Sequence, residues 1–391
     1  MPVVRMRRFK EFIKLEAGGG IILFVAAMLA LLVDNSPFSQ YYTRFFMLDM
    51  TLSFGPLELS KPFLLWVNDG FMTLFFMLVG LEIKRELIEG ELSSLKKAAL
   101  PAIAAVGGML FPAAVYTLLN YHDSVAMHGW AIPTATDIAF SLAILSLLGS
   151  RIPESLKVFL TALAIFDDIG AIIIIAIFYT QKISLLLLIV ALCLIGVLAL
   201  LNYLRVMKYG PYMVVGFVLW LCVLKSGVHA TLAGIVIALS IPLRNEQDPA
   251  FSPLKKLEEA LHPWVAYGVL PLFAFANAGV SFAGMKWNHL FGPITLGIAL
   301  GLFIGKQLGI TAATYFAVKT RIAQLPRHIR WKDIYAVSLV AGVGFTMSLF
   351  IGTLAFANLT GEFAAVVRLG VILGSAVSGL LGYLVLRFDY R

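Results

Sequence analysis

Charge is what this chain has least of. Only 13% of its 391 residues are Asp, Glu, Lys or Arg, against 60% hydrophobic residues and a mean hydropathy of +0.91. Ordinary soluble domains carry about a quarter charged residues, so that class is excluded and a polytopic membrane protein is predicted. Cysteine is nearly absent too. Cys193 and Cys222 both fall inside apolar runs, which leaves no support for a disulfide framework or a cysteine metal cluster. No Ser/Pro-rich linker or charged low-complexity block divides the chain, so residues 1–391 read as one transmembrane domain. The net charge of +8 comes from Lys and Arg dispersed through loops, a pattern that suits anionic lipid headgroups and not nucleic acid.

Long apolar runs, by contrast, recur throughout. A helix needs roughly 20 residues to cross a bilayer core. Windows of about that size fall at 17–32, 63–80, 99–119, 129–148, 156–179 and 185–203, then at 212–224, 227–241, 264–282, 294–318, 334–355 and 364–385. The expected fold is all-α, with about twelve transmembrane helices, and the short seventh and eighth windows also suit a re-entrant hairpin. The run at 17–32 follows a basic start, but no small-residue cleavage pattern follows it, so it reads as a retained span. Loop charge orients the whole. Arg5 to Lys14, Lys96, Lys97, Arg151, Arg205, Lys208, Arg244, Lys319, Arg330 and Arg387 fall on one side, and only Arg44, Lys61, Lys182, Lys225 and Lys286 on the other. Both termini are therefore expected in the cytoplasm.

Against this background four charges sit mid-run: Asp137, the adjacent Asp167 and Asp168, and Lys306. Each opposes insertion by roughly 3 kcal/mol unless it pairs or meets water, which marks an ion pathway. Two neighbouring carboxylates in a dehydrated site cannot both stay ionised cheaply, so they suit proton exchange. Their oxygens also suit a small hard cation such as sodium. Asp69 and His229 lie in other apolar windows and are secondary candidates, while Arg368 either snorkels to an interface or pairs with a buried acid. His122, His128, His289 and His328 lie near span ends or in loops, where solvation explains them.

Two windows carry helix-breaking chemistry. The fourth contains Ala131-Ile132-Pro133-Thr134-Ala135-Thr136-Asp137, and the eleventh contains Ala341-Gly342-Val343-Gly344-Phe345-Thr346. Proline removes a backbone donor and paired glycines ease the exit from helical geometry. Irregular backbone at membrane depth is tolerated where it is buried in protein or lines a cavity. Each window is the middle of a run of three, spans three to five and ten to twelve. Three is odd, so two such runs begin on opposite sides of the membrane and form an inverted repeat. If the broken helices cross, Asp137 can balance positive helix ends, and Lys306 can offset negative ends or neutralise a carboxylate.

These residues, with Ile165-Phe166-Asp167-Asp168-Ile169-Gly170, Thr134-Ala135-Thr136-Asp137-Ile138-Ala139-Phe140 and Gly80-Leu81-Glu82-Ile83-Lys84-Arg85-Glu86-Leu87, resemble the NhaA-type bacterial sodium/proton antiporters. Leu261-His262-Pro263-Trp264 and Ala274-Phe275-Ala276-Asn277-Ala278-Gly279-Val280 extend the resemblance nearly end to end. It implies an electrogenic exchanger of the bacterial inner membrane that extrudes sodium or lithium against inward protons, regulates internal pH and sodium, and uses no cofactor. It implies roles as well. Asp167 and Asp168 become the cation and proton carriers, Lys306 the partner of Asp167, and Asp137 with Thr136 the companions at the helix crossing. Glu82, Arg85, Lys255, Lys256, Glu258 and His262 become a pH-sensing cluster. At Glu259 and Lys256 the family pattern also admits histidine and arginine, which leaves the pH set-point open.

Two other classes compete with this one. A proton-coupled small-solute symporter needs a pocket with polar groups to orient an organic molecule, whereas small apolar residues surround these acids. An intramembrane aspartyl protease needs two aspartates on different helices, and the glycine-rich motif expected around the second is missing here. No enzymatic activity is therefore expected. The segment 49–61, with alternating Leu52, Phe54, Leu57 and Leu59, suits a short outer hairpin, and a homodimer joined through it is compatible with the reading.

Overall fold

Helices form across the apolar windows. The computed structural model describes residues 2–54, 57–180, 184–244, 251–282, 290–326, 329–357 and 362–390. Lys182, Lys286, His289, His328 and the side chains of Arg5 to Lys14 lie outside the described residues. Among those described, seven helices are long and apolar enough to cross a bilayer, and up to ten spans result if each bent pair counts as one. The chain is a polytopic, mainly helical membrane protein. The window at 227–241 accounts for part of the gap from twelve. It yields only Thr231–Ser240, and ten helical residues rise about 15 Å, half a bilayer core. In the window at 264–282 the helix stops at Asn277, so those residues are helical only in part.

The chain gathers into two compact units. The first comprises residues 1–39, 94–171 and 277–391. Its core sets Leu142, Leu145, Leu156, Phe159, Leu160 and Leu163 against Ile310, Ile334, Val337 and Val340. Helices Leu95–Asn120 and Pro293–Lys319 meet backbone to backbone, because a Cβ at Gly107 would lie 2.3 Å from the Gly309 carbonyl oxygen. Only glycine permits that approach, and it brings the start of the Lys306 turn deep into the unit.

Two helices of this unit are interrupted. The first is the 3-10 helix Ala126–Thr134 followed by Ile138–Leu147, bent by 40°. Pro133 lies in the 3-10 stretch, where its missing N–H weakens the helical ladder. The second is Trp331–Val340 followed by Phe345–Ala355, bent by 48° across the Gly342 and Gly344 segment. The breaks touch. Asp137 N–H donates to Val343 O at 2.7 Å, Thr136 Oγ1 to Ala341 O at 2.8 Å, and Ser348 Oγ to Ile132 O at 2.7 Å. Backbone groups released by each break thus find partners at the other.

The second unit comprises residues 40–93 and 172–276. Helix Ser39–Phe46 is followed by an antiparallel hairpin, Asp49–Phe54 paired to Leu57–Pro62 with Leu52 opposite Leu59, where the alternating sequence suggested one. Helix Phe63–Glu89 follows, widened by a π turn at Trp66–Phe71. Its core sets Met77 and Leu81 against Leu198, Tyr212, Leu219, Ala238 and Leu254. Ser252 caps helix Pro253–Trp264 by accepting from Lys255 N–H, and Pro253 sits in the first turn, where no donor is needed.

Candidate functional site

Helix Glu154–Phe178 carries Asp167 and Asp168 into the interior of the first unit, where both are buried. Adjacent residues on a helix project about 100° apart, so the two carboxylates need not face the same partner. Asp167 Oδ2 accepts from Lys306 Nζ at 2.5 Å and lies 2.6 Å from Thr136 Oγ1. Thr136 Oγ1 also accepts from Lys306 Nζ at 2.9 Å, and its one hydrogen can serve either Asp167 or the Ala341 carbonyl at a time. The ion-paired side chains of Lys306 and Asp167 are both 0% exposed. Charges withdrawn that far from water persist only with close partners, and removing one leaves the other at a cost of about 3–5 kcal/mol. Yet Asp167 Oδ1 is buried with no hydrogen-bond partner among the described residues. One carboxylate oxygen is neutralised and its twin is open.

Asp137 stands beside this cluster at the break of the first interrupted helix. It is the N-cap of Ile138–Leu147, where Oδ1 accepts from Phe140 N–H at 3.0 Å. Its Oδ2 accepts from Thr346 N–H at 2.9 Å and from Thr346 Oγ1 at 2.5 Å. One carboxylate therefore faces the positive ends of two helices, as electrostatics at N-termini favours. Sequence reasoning passed over Thr346 as a site residue, although a hydroxyl just after the glycine break was the available signal.

The acid-base cluster of the second unit is built mainly on helices Phe63–Glu89 and Pro253–Trp264. Arg85, on Phe63–Glu89, donates through Nε to Glu258 Oε1 at 2.9 Å and through Nη1 to Glu86 Oε1 at 2.6 Å. Lys255 Nζ and Arg244 Nε both donate to Glu89, Arg244 at 2.8 Å. Glu82 and His262 are buried, and Lys256 instead lies 5.8 Å over the Phe251 ring. Glu86, Glu89 and Arg244 were missed. The first two recur with Glu82 at helical spacing, and that one-face pattern could have found them. Burial pushes the Glu258 carboxyl above the usual glutamate range, with the guanidinium of Arg85 pulling the other way and Glu86 adding to the rise.

The secondary candidates fall in the same unit. Asp69 accepts from Lys61 Nζ at 3.0 Å, while its backbone carbonyl accepts from Thr73 Oγ1 at 2.5 Å and Trp220 Nε1 at 3.2 Å. A ring nitrogen of His229 lies 2.6 Å from the Tyr179 carbonyl oxygen. In the first unit Arg368 donates to the Gly279 carbonyl at 2.7 Å.

Comparison with known proteins places the chain in a family. A family model described as Na+/H+ antiporter 1 matches residues 10–386. The Na(+)/H(+) antiporter NhaA of Rhodospirillum rubrum is 55% identical over 387 residues, 97% of each chain. The Na(+)/H(+) antiporter NhaA 1 of Syntrophotalea carbinolica is 52% identical over 386 residues, covering 99% of this chain and 97% of its own. The Na(+)/H(+) antiporter NhaA of Aeromonas hydrophila is 55% identical over 383 residues, covering 97% and 95%. With a family match spanning nearly every residue and relatives identical at more than half of their positions, this chain belongs to the Na+/H+ antiporter 1 family.

Proposed function

We propose that this protein exchanges sodium or lithium for protons across the bacterial inner membrane, expelling the metal cation from the cytoplasm and regulating internal pH and sodium. The observation that carries this reading is the buried carboxylate of Asp167, held at one oxygen by Lys306 and Thr136 and open at the other, with Asp168 next in sequence. Carboxylate and hydroxyl oxygens suit a small hard cation. Protons, sodium and the Lys306 ammonium all compete for the same few oxygens, and that competition couples the two flows. Asp137 and Thr346 supply fixed charge and hydrogen bonds that keep the two helix breaks together while Asp167 and Asp168 change occupants.

In this reading Asp167 and Asp168 are exposed first to one side and then to the other, and the whole chain serves as one transport domain of about twelve spans with an inverted repeat and both termini in the cytoplasm. Glu82, Arg85, Lys255, Lys256, Glu258 and His262 set the pH response, joined by Glu86 and Glu89, which share their ion pairs. Asp69 and His229 tune it. Anionic lipid surrounds the basic loops.

The test is purified protein in liposomes, with a pH-sensitive dye reporting proton movement when sodium is added. Wild type should respond to sodium or lithium and ignore sugars and amino acids; a response to an organic solute alone would favour a symporter. Asp167→Asn and Asp168→Asn should each abolish the signal. Sodium-driven proton movement in both variants would falsify the site.

A further inference from the structure

We infer that Gln307 and Tyr335 are a positioning pair for Lys306, holding the widened turn that aims its ammonium at Asp167. The inference rests on reading Asp167 as the ion carrier and adds the device that keeps its partner in register.

Lys306 follows a π turn, Gly301–Gly305, in which its backbone N–H donates to Gly301 O, an i→i−5 bond. A π turn inserts one extra residue into a helix, and such insertions persist mostly at functional sites. One residue is about 100° of helical rotation, so without the widening Lys306 would face a different neighbour. The turn is also tightly housed. A Cβ at Gly301 would fall 2.7 Å from Pro133 Cβ, so the widened segment packs directly on the first interrupted helix.

Gln307 braces this turn from the next position. Its Nε2 donates to Phe303 O at 2.7 Å, inside the turn, and its Oε1 accepts from Tyr335 Oη at 2.9 Å. Gln307 is 8% exposed, so both ends of its amide are spent on these partners where water is scarce. Tyr335 belongs to Trp331–Val340, whose C-cap is Ala341. The Ala341 carbonyl accepts from Thr136 Oγ1, and that oxygen in turn accepts from Lys306 Nζ. The contacts close a ring running from Lys306 through Gln307, Tyr335, the Ala341 carbonyl and Thr136 back to Lys306. Cutting it at Gln307 or Tyr335 frees the lysine-bearing turn to shift against the carbonyl end of the second interrupted helix. An ammonium released from its register also sweeps over the open Oδ1 of Asp167 and competes there with sodium.

A second bridge separates positioning from simple packing. Thr311 Oγ1 and Ser338 Oγ lie 3.2 Å apart and join the same two helices without touching the turn. The experiment compares reconstituted full-length wild type, Gln307→Leu, Tyr335→Phe, their double variant, Thr311→Val and Asp167→Asn. Apparent KM for sodium and maximal exchange rate are measured at one pH. Gln307→Leu and Tyr335→Phe should each raise KM about threefold to tenfold, the range one hydrogen bond supports, with maximal rate within about twofold of wild type. The double variant should match Gln307→Leu, and Thr311→Val should match wild type. Tyr335→Phe keeps the ring, so it remains informative even if Gln307→Leu does not fold. A wild-type KM in Tyr335→Phe, with Asp167→Asn silent in the same assay, overturns the positioning role alone. An equal rise in Thr311→Val overturns it too, because general helix packing then accounts for the effect. Exchange that survives in Asp167→Asn removes the carrier reading and this inference with it.

Discussion

Asp137 gathers donors from two separate helix starts, and what happens on removing it can be worked out from those donors alone. In Asp137→Ala the Phe140 N–H, the Thr346 N–H and the Thr346 hydroxyl all lose their acceptor in a site where Asp137 itself is 1% exposed. An orphaned buried polar group costs about 1–3 kcal/mol, so the loss amounts to several kcal/mol. Asp137→Asn keeps an amide oxygen for one helix and should lose less. Thermal unfolding of the detergent-solubilised protein should therefore rank wild type above Asp137→Asn and Asp137→Asn above Asp137→Ala. An alanine variant as stable as wild type would show that the two helix starts do not depend on this carboxylate. At this scale the sequence was informative about charge and poor about partners. A charged residue in an apolar run is visible in one dimension, so Asp137, Asp167, Asp168 and Lys306 stood out. Gln307 and Thr346 are neutral, common in helices, and acquire meaning only from what the fold sets beside them.

The proposed pH response belongs to the scale of elements, at the cluster between helices Phe63–Glu89 and Pro253–Trp264. Glu258 bridges the two through Arg85, and burial holds its carboxyl above the usual glutamate range. The native packing therefore retains this proton to higher pH than the unfolded chain does. The resulting stabilisation is fully present below the ordinary glutamate value and is lost as pH rises through the raised one. Alkalinity thus loosens the protonated arrangement, with Arg85, Glu86 and His262 the charged and titratable groups acting on Glu258. Glu258→Gln fixes the neutral form, so its exchange-against-pH profile should activate at higher pH or flatten. A profile superimposable on wild type would remove Glu258 from the response. Some element boundaries followed backbone chemistry in the sequence: Pro133 and the Gly342 and Gly344 pair lie at the two breaks and Ser252-Pro253 at a helix start, whereas Pro101 and Pro112 lie inside the unbroken helix Leu95–Asn120. The π turns at Trp66–Phe71 and Gly301–Gly305 had no such signal, because a single widened turn changes no hydrophobic period and is fixed by tertiary packing.

For the whole molecule the decisive quantity is the charge carried in one cycle. A site that accommodates one sodium or roughly two protons differs by one elementary charge between its two journeys, and one charge crossing 100 mV changes free energy by about 2.3 kcal/mol. That corresponds to a shift of roughly forty-fold to fifty-fold in the sodium gradient at which exchange stalls. The buried cluster supplies the means for unequal occupancy. Lys306 neutralises one oxygen of Asp167 and Oδ1 has no hydrogen-bond partner among the described residues, so in the proposed exchange the charge on the loaded site depends on whether sodium or protons join or displace the ammonium there. In liposomes clamped by a potassium gradient and an ionophore, an interior-negative potential should favour inward protons and outward sodium, and reversing the clamp should reverse the bias. Exchange of one sodium for one proton carries no net charge and would give a stall gradient independent of voltage. Such a flat response would retain the competition at Asp167 while ruling out a second proton, and would assign Asp168 a fixed charge throughout the cycle.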